Sequence, residues 1–278
     1  MKIKKSLKLI LVNIILAGLC FAVLIPVLYA LALSVNGTGS VFSGDFFLIP
    51  SKVSLSNYSW ILFQEPFLLW FKNSLILSLG TMILAMGTAI TASYAFSRFR
   101  FRGRKAVLYL LILLNAFPQI LSMFAIFRLF KALDLMDSGI GLIIIYAGSM
   151  CIFGIWNMKG YFDTIPIEFE EASKIDGASD IQLLFRIILP LARPAIIVTA
   201  VMILIFVWNE YLFSTTFLMN KNSYSLAGGL YLLQSNDYSR NWPVFSAAAI
   251  LVSVPILIIF YRIQKYMISG LTAGGVKG

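Results

Sequence analysis

Two groups of residues in this chain have types and spacing suited to chemistry. The first is Trp208-Asn209-Glu210-Tyr211, set in an apolar run, together with Asn115, Pro118 and Gln119 in another. Glu210 is the only acid inside any run long enough to span a bilayer, and an ionisable group at that depth is a functional hypothesis by default. The structural alternative is that Glu210 lies near the outer interface and reaches water. Polar side chains beside a proline kink need partners in lipid, so Asn115 and Gln119 are expected to face the interior of a helix bundle. The second group is Glu168 to Pro194, the long polar interruption in the second half of the chain. It holds Glu168, Glu170, Glu171, Asp176 and Asp180, five of the chain's 12 acids. Absences narrow the chemistry further. There is no histidine, which excludes every histidine-based triad, relay or metal site. The two cysteines, Cys20 and Cys151, both lie in apolar runs, which argues against a disulfide framework or a zinc site. No G-x-x-x-x-G-K-[ST] loop occurs, so the chain binds no ATP through a P-loop of its own.

The elements that must position these residues can be read in outline. Glu168 to Pro194 reads as two short helices joined by a turn. Pro166 suits the first turn of a helix, where its missing N–H is no loss. The acids that follow favour the positive end of the helix dipole. Gly177 ends that helix, because glycine adopts left-handed dihedrals cheaply. Ser179, with Gln182 three residues on, forms a capping box for the second helix, which runs into Pro190.

The chain has 278 residues, 60% of them hydrophobic and 12% charged, with a mean hydropathy of +0.89. Soluble domains have about 45–50% apolar and about 25% charged residues, so this is an all-α protein that crosses the membrane several times. Six spans are expected, at residues 9–33, 72–97, 106–127, 139–158, 195–217 and 244–261, with kinks at Pro26 and Pro255. The first follows a basic start and could be a signal peptide, with Ala30-Leu31-Ala32 resembling a cleavage site. It is about twice as long as a 7–15-residue signal core, so an uncleaved span is the better reading. Residues 35–71 read as a connection that skims the bilayer, with interfacial aromatics such as Phe46, Phe47 and Trp60. Small residues in the second span (Gly80, Gly87) and in the fourth (Gly141, Gly148, Ser149, Gly154) permit close helix approach. Residues 218–243 read as a polar loop, with Asn236 and Asp237 in it, and 262–278 as a tail with little helical character.

Orientation follows from lysine and arginine. With the N-terminus inside, inner segments hold roughly 16 basic residues and outer segments roughly 6. Both ends and the connection 159–194 are then cytoplasmic, and the net charge of +10 largely reports topology. The alternating Arg98-Phe99-Arg100-Phe101-Arg102 turn reads as a cytoplasmic anchor rather than a nucleic-acid site.

Within this outline, Glu171-Ala172-Ser173, Gly177 and Ile187-x-Leu189-Pro190 match the pattern E-A-A-x-x-x-G-x(9)-I-x-L-P. That pattern resembles the signature loop of permease subunits in binding-protein-dependent ABC importers, with Ser173 replacing the second alanine. Tyr94-Ala95-Phe96-Ser97-Arg98, Phe117-Pro118, the run Gly160 to Pro166, Trp208 to Tyr211 and the Gly270 to Gly278 ending also resemble the smaller permease of the carbohydrate-uptake branch. The ending is similar to that of maltose and maltodextrin permeases.

The resemblance implies a type I ABC importer permease with no bound cofactor, dependent on ATP and magnesium in a separate cytoplasmic ATPase pair. It implies an ATPase-coupling element made of Glu170, Glu171, Ala172, Ser173, Asp176, Gly177, Ala178, Ile187, Leu189 and Pro190. It implies a second ATPase contact at the tail (Gly274, Gly275, Val276, Lys277). A larger partner permease and an extracytoplasmic sugar-binding protein are the other expected partners, the latter meeting residues 218–243. Nucleic acid is not expected. The substrate implied is an oligosaccharide, with maltodextrin leading and other oligosaccharides, galactosides or sugar phosphates open. Sugars present apolar faces and hydroxyl rims, which suit Asn115, Gln119, Trp208, Asn209, Glu210 and Tyr211. At helical spacing these six serve equally well as packing residues. An ion-coupled secondary transporter would want several intramembrane ionisable groups, and only Glu210 is present. A membrane enzyme would want paired acids or histidine at membrane depth.

Overall fold

The computed structural model describes residues 2–37, 50, 52–234 and 241–275, and the side chains among them from 8 to 266. Thirteen α-helices and one π-helical turn occur among these residues, with a single isolated β-bridge, Asn36 to Val53. Four helices are long and apolar enough to cross a membrane. They are α1 (Lys2–Ser34, apolar from Lys8), α3 (Phe67–Arg98), α6 (Gly139–Phe162) and α13 (Trp242–Gly275). Two bent pairs bring the number to six if each counts as one span. Contacts divide the chain into two compact units, Met1–Phe67 with Leu230–Val254, and Leu68–Gly229 with Pro255–Gly278.

In the first unit, α1 presents exposed apolar side chains from Leu9 to Leu31, as a helix in lipid should. It continues through Pro26 as a helix. The connection expected to skim the bilayer contains a helix of its own, α2 (Ser56–Gln64). Asn57 fixes it by donating to the carbonyls of Ser34 (3.0 Å) and Asn36 (2.9 Å). Phe46, Phe47, Asn236 and Asp237 lie outside the described residues.

The second unit carries both candidate sites. At its centre α6 packs against α3 and the helix Arg193–Asn209 in one buried cluster. A Cβ placed on Gly154 would lie 2.7 Å from the Ala89 Cβ, so only glycine permits this approach. Gly80 similarly makes room for Ile143, and Gly141 for Phe130. Gly87 and Gly148 have open space beside them, so the small residues of the two helices divide into a packed set and an open set.

Several boundaries differ from the sequence expectation. The third span, 106–127, is two helices, α4 (Arg104–Ala116) and α5 (Gln119–Ala132), bent by 92°. The proline accounts for the break, because Pro118 lacks an N–H and bars Phe117 from the helical region; Phe117 is extended at φ −72°, ψ 130°. The fifth span, 195–217, is also broken, into α10 (Arg193–Asn209) and α11 (Leu212–Phe217), at Glu210. The polar loop 218–243 contains α12 (Leu226–Gln234). Gly229 in α12 lies where a Cβ would meet the Trp70 ring at 2.4 Å. The tail is helical as far as Gly275: α13 runs through Pro255 and past Tyr261 without interruption. A single Gly270 costs about 1 kcal/mol against alanine, which an otherwise helical run absorbs.

Candidate functional site

The polar segment after α6 folds as two short helices joined by a turn. α7 (Glu168–Ile175) begins two residues after Pro166, which lies just before the helix rather than in its first turn; Ile167 is the N-cap and Glu168, Glu170 and Glu171 stand in the first turn. Gly177 has φ +85°. Its N–H donates to Lys174 O (3.0 Å) and the Ala178 N–H donates to Ser173 O (3.0 Å). These are the two bonds of a Schellman motif, and they require the left-handed residue. The exposed Lys174–Asp180 ion pair (3.2 Å) spans the turn. Ser179 and Gln182 form the expected capping box at α8 (Asp180–Leu183). A π-helical turn (Leu184–Ile188) and α9 (Leu189–Leu191) follow. Pro190 has no N–H for the helical ladder, and the wider π turn precedes it, with the Leu189 N–H reaching back to Leu184 O. The rod Asp180–Leu191 then meets α10 at a bend of 81°.

Among the residues expected to couple to an ATPase, Glu171, Ala172, Asp176, Gly177 and Pro190 are exposed. Ser173, Ala178, Ile187 and Leu189 are half-buried. Phe169, Ile175, Ile181 and Phe185 are exposed on the same segment, Ile175 to 87%. Glu170 differs: it is 5% exposed and turned inward. It pairs with Arg98 at the end of α3 and accepts from the Tyr94 hydroxyl at 3.2 Å. Of the tail residues, Gly274 and Gly275 close α13, while Val276 and Lys277 lie outside the described residues.

The bend between α4 and α5 creates the second site. A pocket of about 320 Å³ opens at the α4–α5 break, lined also by α6, α10 and Glu210. Asn115, Gln119 and Glu210 meet there, 91 to 95 residues apart in sequence at the widest but adjacent in the fold. Ser122, Tyr146 and Ser149 add hydroxyls, and Phe117, Phe206 and Phe213 add ring surface. No lysine or arginine is among the lining residues. Gln119 donates to the Ser149 hydroxyl. Glu210 accepts from the Tyr146 hydroxyl and from the backbone N–H groups of Phe213 (2.9 Å) and Ser214 (3.3 Å). Its carboxylate therefore satisfies the first turn of α11, which explains why a span can break there without proline or glycine.

The other three residues expected on a substrate path do not line this pocket. Trp208 is buried and packs edge-on against Phe71, with ring centroids 5.6 Å apart. Asn209 donates to Ile205 O in its own helix (2.8 Å), and Tyr211 is exposed elsewhere. Tyr146 was not singled out by sequence, since a tyrosine in an apolar helix has no local signature. The start of the 218–243 segment is held to α3: Trp70 donates to Lys221 O (2.8 Å), and Asn73 to Asn222 O (2.8 Å) and Tyr224 O (3.0 Å).

Residues 87–272, more than half of the chain, match the family described as binding-protein-dependent transport system inner membrane component. The chain belongs to that family. This permease is similar to the galactooligosaccharides transport system permease protein GanQ of Bacillus subtilis, at 35% identity over 100% of this chain and 99% of the relative. It is also similar to the maltodextrin transport system permease protein MalD of Streptococcus pneumoniae, at 32% identity over 100% and 98%. Among solved structures it resembles a chain of a bacterial ABC transporter involved in the import of the acidic polysaccharide alginate, with a TM-score of 0.78 and 26% identity over 92% of this permease and 95% of that chain. The type I importer architecture read from the sequence is that of this neighbour.

Proposed function

We propose that this permease subunit carries a neutral oligosaccharide of the maltodextrin or galacto-oligosaccharide kind across a bacterial inner membrane. A separate ATPase pair powers the step. The observation that carries the substrate class is the pocket at the α4–α5 break. It combines amide and hydroxyl groups with phenyl rings and a single acid, and it lacks any cation among its lining residues. That chemistry suits hydroxyl rims and apolar sugar faces. It gives no counter-charge to a uronate or a sugar phosphate. The relatives fit this reading, since their names are those of galactooligosaccharide and maltodextrin systems.

The α7–α9 segment is the cytoplasmic element that docks in the ATPase pair. Ala172, Ile175, Phe169 and Phe185 are bared on this segment beside the exposed Glu171, and apolar side chains exposed among charges are of the kind that marks a protein contact. Closure of the ATPases around ATP and magnesium moves this segment, and the attached spans tilt to expose the path on the other side. A larger permease, a sugar-binding protein and the tail contact at Gly274 to Lys277 complete the assembly. The permease itself performs no chemistry on the sugar or on ATP.

The test is uptake of labelled neutral oligosaccharide by Gln119→Ala, Ser149→Ala and Asn115→Ala, none of which caps a helix. Losing one hydrogen bond to substrate costs about 0.5–1.5 kcal/mol, so each variant should lose roughly 2–13-fold in transport efficiency. Binding of sugar by the separate binding protein should not change. Wild-type uptake in all three would remove the pocket from the sugar path.

A further inference from the structure

Adjacent glutamates of one sequence motif point in opposite directions here. Glu171 is exposed, whereas Glu170 is buried against the end of α3. The Arg98 side chain is 10% exposed and that of Glu170 is 7%. Arg98 uses all of its reach. Nε pairs with Glu170, Nη2 donates to Ile165 O in the α6–α7 link (3.0 Å), and Nη1 donates to the Ser97 hydroxyl (3.1 Å). Ser97 in turn donates to Asp163 (2.6 Å), which also takes a hydrogen bond from Lys159 (2.5 Å). The Tyr94 hydroxyl donates to the second oxygen of Glu170, and its ring meets Phe162 at 6.4 Å. The C-terminal end of α3, the C-terminal end of α6 and the first turn of α7 thus share one bonded node.

We infer that the Arg98–Glu170–Tyr94 node is the rigid joint through which motion of α7 reaches α3, and that Glu170 is a positioning residue rather than an ATPase contact. Moving α7 without α3 would strip a nearly buried arginine and a buried carboxylate of each other. Such a separation is strongly unfavourable, because each charge would stay desolvated without a partner. Moving the two together breaks nothing. α3 is a 32-residue helix clamped to α6 by the Gly154–Ala89 contact, so a displacement at Arg98 carries along a paired span rather than a loose helix end. The division of labour follows from helical geometry. Successive residues lie about 100° apart on a helix of 3.6 residues per turn, so one acid anchors inward while the next faces a partner. This inference rests on the reading of α7–α9 as the coupling element.

The experiment uses the complete importer in proteoliposomes and measures ATPase retention, ATP hydrolysis and sugar taken up per ATP. Glu170→Gln should retain the ATPase and hydrolyse ATP, yet lose about tenfold in sugar per ATP, within the ~5–150-fold span of ordinary coupling. Glu170→Asp should recover part of the loss. The exchange Arg98→Glu with Glu170→Arg should exceed either single variant severalfold. Tyr94→Phe removes only one hydroxyl and should give a milder loss, which keeps the test decisive if Glu170→Gln fails to insert. Unchanged sugar per ATP in both Glu170→Gln and Tyr94→Phe would overturn the inference. So would a loss that simply tracks loss of the ATPase, since Glu170 would then be an ATPase contact. If Glu171→Lys leaves assembly and uptake intact, the coupling reading itself fails, whatever Glu170 does.

Discussion

Gly177→Ala isolates one physical term in the turn on which the α7–α9 segment depends. At Gly177 φ is +85°, and a Cβ there would meet nothing within 4 Å. Sterics with neighbours therefore contribute nothing, and the whole effect is conformational. A left-handed dihedral costs an L-residue about 1–2 kcal/mol. Alanine's stiffer unfolded chain returns about 0.4–1 kcal/mol. The net is about 1 kcal/mol, or roughly fivefold in the opening equilibrium of the turn. The bonds at stake are Ala178 N–H to Ser173 O and residue 177 N–H to Lys174 O, both 3.0 Å. Hydrogen exchange by mass spectrometry over residues 173–182 reads them directly. Alanine should exchange about fivefold faster in this peptide, and Gly177→Asn should lie between, because asparagine tolerates this region better than alanine. Sugar uptake should follow the same order. Alanine exchanging as slowly as glycine, or asparagine faster than alanine, would refute the reasoning.

Two further outcomes follow from packing and charge. Gly154→Leu should destabilise the permease in detergent by about 1–3 kcal/mol, because the Ala89 Cβ already lies 2.7 Å from the new Cβ. Gly148→Ala, with open space beside it, should be neutral or stabilising by up to about 1 kcal/mol, and equal thermal shifts for the two would contradict the α3–α6 contact. Partial burial pushes the Asp163 carboxyl up, but hydrogen bonds from Lys159 and Ser97 and the nearby charges outweigh it and hold it below the usual 3.8. A carboxylate depressed in the folded state contributes stability above its unfolded value and loses it as pH falls through the folded value. The melting difference between wild type and Asp163→Asn should therefore be constant from about pH 7 to about pH 5 and shrink only below the unfolded value near 3.8. A difference that vanishes near neutrality would show that Asp163 is not held in this way.

Local motifs were legible in the sequence because their partners lie within a few residues. Gly177 as a helix stop and the Ser179–Gln182 capping box needed nothing beyond their own neighbours. Pro118 announced a break but not its angle, since the 92° turn depends on what α4 and α5 pack against. The break at Glu210 carried no such marker. It exists because a carboxylate satisfies the Phe213 and Ser214 amides, a task usually marked by serine, aspartate or asparagine beside a polar stretch. The Glu210–Tyr146 bond spans 64 residues and the Arg98–Glu170 pair spans 72, and one sequence offers no way to pair groups at such separations. Six apolar runs were visible, yet 106–127 proved to be a bent pair and 195–217 is interrupted at Glu210, because hydropathy counts residues and does not report whether a helix stays straight.

The central claim is that this permease moves a neutral oligosaccharide on energy from a separate ATPase. Its most direct test is uptake of a labelled neutral oligosaccharide into proteoliposomes holding the permease with its partner permease, ATPase and binding protein. Uptake should require ATP on the ATPase side and stop when the ATPase or the binding protein is left out. Uptake sustained by an ion gradient with no ATP would contradict it.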